Sequence, residues 1–255
     1  MLYLLIVFLL ILSVIVFMWR EALRNEVIAD VLLFKCYPCQ QPLTIFFISD
    51  IHRRTIHPSI LKRVSGKADI VIIGGDLAEK GVPLERISHN LQCLKQVAPV
   101  FFVWGNNDYE VPAEELSKLF QKHSVHVLRN ESFCLPVSMD CDVPVYLLGT
   151  DDVSKGRSSK SSTFSEVPQR AFKILISHNP VFEKKLAAAD GVSLFLSGHT
   201  HGGQIRFFGV GPYKKGGWGN SGKMKTLVSN GYGTSAVPLR LGAKAETHLI
   251  TIKQG

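Results

Sequence analysis

Apolar and polar positions divide the chain into one long run and many short ones. From Met1 to Trp19 no residue is charged, and Ser13 is the only clearly polar side chain. As a helix rising ~1.5 Å per residue this run is roughly 28 Å long, close to the hydrocarbon thickness of a bilayer. The runs Leu43–Ser49, Asp69–Ile73, Val100–Trp104, Phe172–Ile176 and Val192–Leu196 are short and lack alternation. They read as strands buried on both faces, as parallel sheets require. Further strands are predicted at Val27–Phe34, Val125–Leu128, Ser132–Val137, Val143–Gly149, Lys225–Ser229 and Thr247–Ile252.

Helical spacing separates several of these runs. A short helix starts near Pro58 with Ile60, Leu61 and Val64 inward. Pro83 opens another, whose Leu84, Ile87, Leu91 and Leu94 form one apolar stripe. Ala113–Lys122 buries Leu116, Leu119 and Phe120, and Val181–Ala189 also reads as helical. The Ser- and Lys-rich stretch Val153–Glu166 reads as a mobile loop, and Gly209–Gly222 as a glycine-rich one. The alternation predicts an α/β domain, and 255 residues suffice for one such domain with an appendage.

The first run lacks a basic leader and a small-residue cleavage site, so it reads as a retained anchor with Trp19 at the interface. Arg20 and Arg24 follow it directly, and the positive-inside rule then puts the rest of the chain in the cytoplasm. The expected organisation is an anchor at 1–19, a juxtamembrane segment with an edge strand at 20–42, and a catalytic domain at 43–255. Five cysteines at irregular spacing make a poor disulfide framework, which suggests a reducing compartment. Cys36 and Cys39, in a Pro-containing turn, read as free thiols. The net charge of +8 favours anionic partners without choosing among phosphates, nucleic acid and lipid.

Candidate chemistry sits where the apolar runs stop. Five strand ends carry Asp50/His52, Asp76, Asn106, His178 and His199/His201. Strand ends in α/β sheets face a common crevice, so these side chains converge. They are too many for one tetrahedral ion and suit two ions sharing a ligand, with Asp76 the natural bridge. Gly74, Gly75, Gly105 and Gly198 would let the backbone turn after each strand.

The series D-x-H, G-D, G-N-x-D, H and G-H-x-H, followed by Gly231-Tyr232-Gly233, resembles the calcineurin-like metallophosphoesterases, and within them the small bacterial membrane-anchored members. The resemblance spans Leu43 to Ile252. It implies a four-layer α/β/β/α sandwich behind an N-terminal transmembrane helix. It also implies one cation on Asp50, His52 and His201, a second on Asn106, His178 and His199, and Asp76 between them. Mixed N and O donors suit Mn, Fe or Zn. A hydroxide bridging two such dications would attack phosphorus in line with the leaving oxygen.

One position departs from the family. Where G-N-H-D/E is usual, this chain has Gly105-Asn106-Asn107-Asp108. An amide donates a hydrogen bond but delivers no proton at neutral pH. Substrates with acidic leaving groups are therefore expected, such as a pyrophosphate or aryl phosphodiester, unless Asp108 or His57 serves as the acid. Catalytic roles thus fall to Asp76, Asn107 and Asp108, and substrate contacts to Asn107 and Arg53. Arg54 reads as a surface residue. The anchor suggests a phosphorylated small molecule or a lipid-linked substrate. Two other readings stand beside this one: a metal-binding scaffold without activity, and a nucleic-acid or nucleotide phosphodiesterase. Nucleic acid is disfavoured because no recognition helix or aromatic-basic interleaving is present.

Overall fold

A computed structural model describes residues 1–136 and 141–255. In chain order its strands are β1 (Val27–Phe34), β2 (Leu43–Ile48), β3 (Ile70–Ile73), β4 (Val100–Phe102), β5 (His126–Val127), β6 (Glu131–Cys134), β7 (Val145–Gly149), β8 (Phe172–Ile176), β9 (Val192–Ser197), β10 (Gly217–Ser221), β11 (Met224–Val228) and β12 (Thr247–Gln254). They form two six-stranded sheets, ordered β1-β12-β2-β3-β4-β5 and β10-β11-β9-β8-β7-β6. Within the first, β2 to β5 are mutually parallel. Within the second, β7, β8, β9 and β11 are parallel.

The missing alternation in the strand sequences has a direct cause. Phe46 and Ile48 of β2 pack outward with Ile60, Leu91 and Leu116 of helices α2 (Pro58–Val64), α3 (Leu84–Lys95) and α4 (Ala113–Lys122). Ile45 and Phe47 of the same strand pack inward against Leu147, Ile174 and Leu196 of the other sheet. Both faces are dry, so the buried positions of β2 are apolar on either side. The outer face of the second sheet gathers Leu148, Leu175, Phe182 and Phe195, with Phe164 of α5 (Lys160–Phe164) beside them. The sandwich flanked by helices is the expected architecture.

Helix α1 (Leu2–Ala22) leaves this body almost fully exposed, with only Met18, Glu21 and Ala22 buried. It is long and apolar enough to cross a membrane. The chain then enters β1, which joins the edge of the first sheet in parallel with β12.

Several expectations are corrected. Val153–Glu166 contains α5, whose first turn is capped by the Ser159 side chain accepting from Ser162 N–H. Val181–Ala189 forms two short 3₁₀ turns, not an α-helix. The Gly209–Gly222 stretch includes β10. The strand expected at Ser132–Val137 ends at Cys134, and Val137 lies outside the described residues. Cys39 is disulfide-bonded to Cys141, 102 residues away, so the pair of free thiols is not found. Sequence spacing is blind to this pairing because only the fold brings the β1–β2 connection next to the segment before β7. The cysteine support for a reducing compartment falls with it.

Candidate metal centre

Strand ends from both sheets meet at one edge of the sandwich, and the residues there leave the strands by unusual turns. Asp50 (φ 54°), His52 (51°), Asp76 (51°), His199 (70°) and His201 (49°) all adopt left-handed backbone conformations. Such conformations are uncommon outside glycine and cost of order 1–3 kcal/mol each. Of the four glycines expected to make these turns, only Gly75 has a positive φ, 84°. The others supply room. A methyl group on Gly74 would lie 2.6 Å from the Phe47 ring, and one on Gly198 would lie 2.6 Å from Ser49 Oγ. Backbone bonds hold the strained turns: Asp50 N–H donates to Gly75 O (3.0 Å) and His52 N–H to Asp76 O (3.1 Å).

Two groups of donor atoms result, each within 4.8 Å: Asp50, His52 and His201, and Asp50, Asp76 and His178. His52 Nε2 lies 3.1 Å from His201 Nε2, and His178 Nε2 lies 3.2 Å from His199 Nδ1. Asp76 Oδ2 lies between the groups, 3.7 Å from His52 Nε2 and 3.3 Å from His178 Nε2. Second partners fix two tautomers. His178 Nδ1–H donates to Gly74 O (2.9 Å), and His52 Nδ1–H donates to Glu79 Oε2 (2.8 Å). Each ring therefore aims an Nε2 lone pair into the site, as metal-ligating histidines do. Asn106 Oδ1 is buried and has no hydrogen-bond partner in the structure. Orphaned acceptors and facing lone pairs in one dry site fit cations and little else.

The electrostatics of the bare side chains agree. Burial opposes charge on His178, but Asp76 and the Gly74 carbonyl outweigh it and hold the imidazole up at about 10. Burial likewise opposes charge on Asp76, yet His178 and His52 keep its carboxyl well below the usual range. Burial dominates at His201, pushing it down to about 4 despite Asp50. Asp76 thus draws positive charge towards itself at His178, while burial keeps the His201 ring neutral.

The remaining sequence candidates are placed as follows. Asn107 lies at the site: its N–H donates to Asp76 Oδ1 (2.8 Å), and its Oδ1 accepts from Asn106 Nδ2 (2.7 Å). Asp108 is fully buried behind it, accepting from the N–H groups of Gly105 (2.8 Å), Asp76 (2.8 Å) and Ala78 (3.0 Å). Burial and the Asp76 charge push its carboxyl up to about 7. Its contacts are to backbone, so it braces the two ligand loops. His57 caps α2, its Nδ1 accepting from Ser59 N–H (3.2 Å). Arg53 is exposed and pairs with Glu79. Arg54 is not a surface residue: burial lowers its pKa, and it stacks 3.6 Å above the Tyr232 ring.

Three residues escaped the sequence reading in full or in part. Glu79 orients His52, and its place three residues after Asp76 was the available signal. Arg240 is fully buried, with Nη2 2.7 Å from Asn230 O and 3.2 Å from His201 Nδ1. Tyr232, flanked by the two glycines already noted, donates its hydroxyl to Asn25 Oδ1 (2.9 Å).

Two cavities adjoin the donor groups. One of about 330 Å³ is lined by Asp76, Asn106, Asn107, His199, His201 and Tyr213. A larger one of about 690 Å³ shares His199 and Tyr213 and continues past Lys214, Lys215 and Trp218.

Comparison with known proteins bears on the same residues. The sequence profile of the calcineurin-like phosphoesterases matches residues 43–203. The uncharacterized protein YpbG of Bacillus subtilis (strain 168) is 46% identical over 213 residues, covering 83% of this chain and 81% of that protein. Phosphodiesterase YaeI of Escherichia coli (strain K12) is 27% identical over 177 residues, 65% of this chain and 63% of that protein. Among solved structures, a 5'-nucleotidase precursor from Thermus thermophilus superposes with a TM-score of 0.52 at 13% identity, over 83% of this chain and 55% of that one. That likeness concerns the fold, and this chain spans about half of that protein's length.

Proposed function

Because this chain belongs to the calcineurin-like phosphoesterase family, and is a metal-dependent hydrolase, we propose that it cleaves a phosphodiester or pyrophosphate bond at two divalent cations beside a membrane. The observation that carries this is the meeting of two donor groups, each within 4.8 Å and both including Asp50, with Asp76 in the second and Asn106 Oδ1 left unpartnered. Asp50, His52 and His201 would hold one cation, and Asn106, His178 and His199 the other. Asp76 would stand between them, since its Oδ2 lies 3.7 Å from His52 Nε2 and 3.3 Å from His178 Nε2. The nitrogen and oxygen donors suit Mn, Fe or Zn. Bound dications supply Lewis acidity and an activated water.

The protein's own residues do the rest. Glu79 and the Gly74 carbonyl hold His52 and His178 in the ligating tautomer. Asp108 ties the Asp76 and Asn106 loops together. Asn107 Nδ2 lies 3.5 Å from His52 Nδ1 and keeps a second hydrogen for a phosphoryl oxygen, but it has no proton to give up. This favours substrates whose leaving groups need none, aryl esters and pyrophosphates. The YaeI relative's name, a phosphodiesterase, agrees with the diester. Cavities of about 330 and 690 Å³ suit a small or lipid-linked phosphate ester better than a nucleic acid.

Helix α1 is the membrane anchor in this reading. Arg20 and Arg24 favour a cytoplasmic domain. The Cys39–Cys141 bond favours a second reading, with the domain outside. Protease added to intact cells decides: digestion of the domain establishes the outward orientation, and survival the inward one.

The enzymatic reading is tested on the full chain in detergent, loaded with Mn²⁺ and offered an aryl phosphodiester. Two ions per chain and turnover are expected. Asp76→Asn should lose about 10³-fold or more in turnover, since it weakens both cation positions. Two bound ions without turnover on aryl diester, aryl monoester, sugar nucleotide or single-stranded DNA would instead make the protein a scaffold.

A further inference from the structure

Six residues past His201, the chain enters a tight turn that holds three apolar side chains in solvent. Phe207 and Val210 pair across it, with Val210 N–H donating to Phe207 O (2.9 Å). At its tip stand Phe208 (φ 48°) and Gly209 (φ 82°). Phe208 is fully exposed, at 106%, with Phe207 at 63% and Val210 at 76%. A bulky aromatic in the left-handed region and entirely in water is unfavourable on both counts. The turn is nonetheless braced. The Arg206 guanidinium donates to the carbonyls of Gly202 (3.1 Å), Gly209 and Tyr213. The exposure therefore belongs to a built feature.

Its position is tied to the anchor. Arg206 N–H donates to Leu241 O (2.8 Å), and the neighbouring Arg240 N–H donates to Met18 O (3.0 Å) in the last turns of α1. Gln204 Nε2 donates to Ser235 O and Val237 O, both 3.0 Å, which fastens a further exposed apolar residue, Val237, to the same edge. Exposed Lys214 and Lys215 follow the turn and border the 690 Å³ cavity.

We propose that the Phe207–Val210 turn is a second membrane contact. It seats its side chains in the interface of the bilayer that holds α1, while Lys214 and Lys215 meet anionic headgroups. This rests on α1 being an anchor. Because the turn leaves directly from the His199–Gly203 ligand segment, such seating holds the metal centre at the headgroup level. A phosphate ester lying in the membrane then reaches the cavities without leaving the lipid.

The test uses the full chain in vesicles of phosphatidylglycerol and acyl-brominated phosphatidylcholine. Phe208→Trp should add blue-shifted emission that the bromines quench, whereas Lys118→Trp on α4 should add only water-exposed, unquenched emission. The difference in quenching between the parent and Trp19→Phe isolates Trp19 from Trp104 and Trp218 and reports the anchor. Quenched Trp19 with an unquenched Trp at position 208 overturns the second contact and leaves the anchor standing. Unquenched Trp19 overturns both. In a second measurement, the variant with Phe207, Phe208 and Val210 all changed to Ser should cleave a vesicle-borne lipid with a nitrophenyl phosphodiester headgroup roughly tenfold more slowly than the parent. Its rate on a soluble aryl phosphodiester should not change. Equal rates on both, relative to the parent, overturn the proposal. Absent turnover of the soluble ester by the parent would strike the enzymatic reading alone, because the quenching result does not depend on it.

Discussion

At the scale of single residues, Asn107 divides its amide between two tasks. Its Oδ1 accepts from Asn106 Nδ2 at 2.7 Å, which leaves Asn106 Oδ1 without a partner, while its own Nδ2 lies 3.5 Å from His52 Nδ1 with one hydrogen to spare. Asn107→His would restore a proton donor. Turnover of an alkyl phosphodiester should rise ~10–100-fold while that of a nitrophenyl diester changes little, because only the alkyl leaving group needs protonation. Steady-state rates on the matched pair check this, and an equal rise on both would refute it. Gly75 offers the opposite case. With φ at 84°, a methyl there would lie 2.5 Å from His178 Nδ1 and displace it from the Gly74 carbonyl. Gly75→Ala should cost about 2–4 kcal/mol in urea unfolding and reduce bound Mn²⁺ from two ions per chain to one. The candidate donors were legible because each polar residue interrupts an apolar run. Their left-handed backbones were not, since nothing in Asp-x-His specifies φ. Glu79 was hidden because its role depends on the direction of a side chain.

At the scale of elements, the least legible feature is the junction of helix α1 and the domain. The apolar run of α1 announces itself, and β2, β3 and β8 follow from apolar runs interrupted only by Thr44 and Lys173. No periodicity shows that α1 ends against the ligand loop. Arg54, two residues after His52, donates through Nη1 to Ala22 O (3.2 Å) and Arg24 O (3.0 Å), and through Nη2 to Leu23 O (3.2 Å) and Asn25 Oδ1 (2.7 Å). The helix's last carbonyls are thus capped by a cation from the catalytic loop. A chain beginning at Phe17 keeps these partners and the Met18–Arg240 bond, whereas one beginning at Glu26 leaves Arg54 buried with the Tyr232 carbonyl and ring. The shorter chain should be less stable than the longer by about 3 kcal/mol and bind Mn²⁺ more weakly. In the full chain, Arg54→Ala should reproduce most of that loss. Equal urea midpoints for the two truncated chains would show that the anchor merely tethers.

At the scale of the whole molecule, the two sheets are joined by the interior packing and by one covalent link. Cys39 precedes β2 of the first sheet and Cys141 precedes β7 of the second, so their bond clamps the sandwich. The sandwich itself was readable from dry strands with flanking helical stripes. The clamp was not, because a lone C-x-x-C points to its own two members and the true partner of Cys39 lies 102 residues on. Closing so long a loop restricts the unfolded chain, and reduction should lower the unfolding free energy by about 2–4 kcal/mol. The variant Cys39→Ser with Cys141→Ser should show the same loss and no further response to reductant, whereas Cys36→Ser should leave the response intact. The same bond connects stability to topology. Alkylation in intact cells, followed by denaturation, should find five reactive thiols on a protease-protected domain or three on a digested one. A digested domain with five reactive thiols would show that the clamp does not form in the cell, and stability in situ would then match that of the reduced chain.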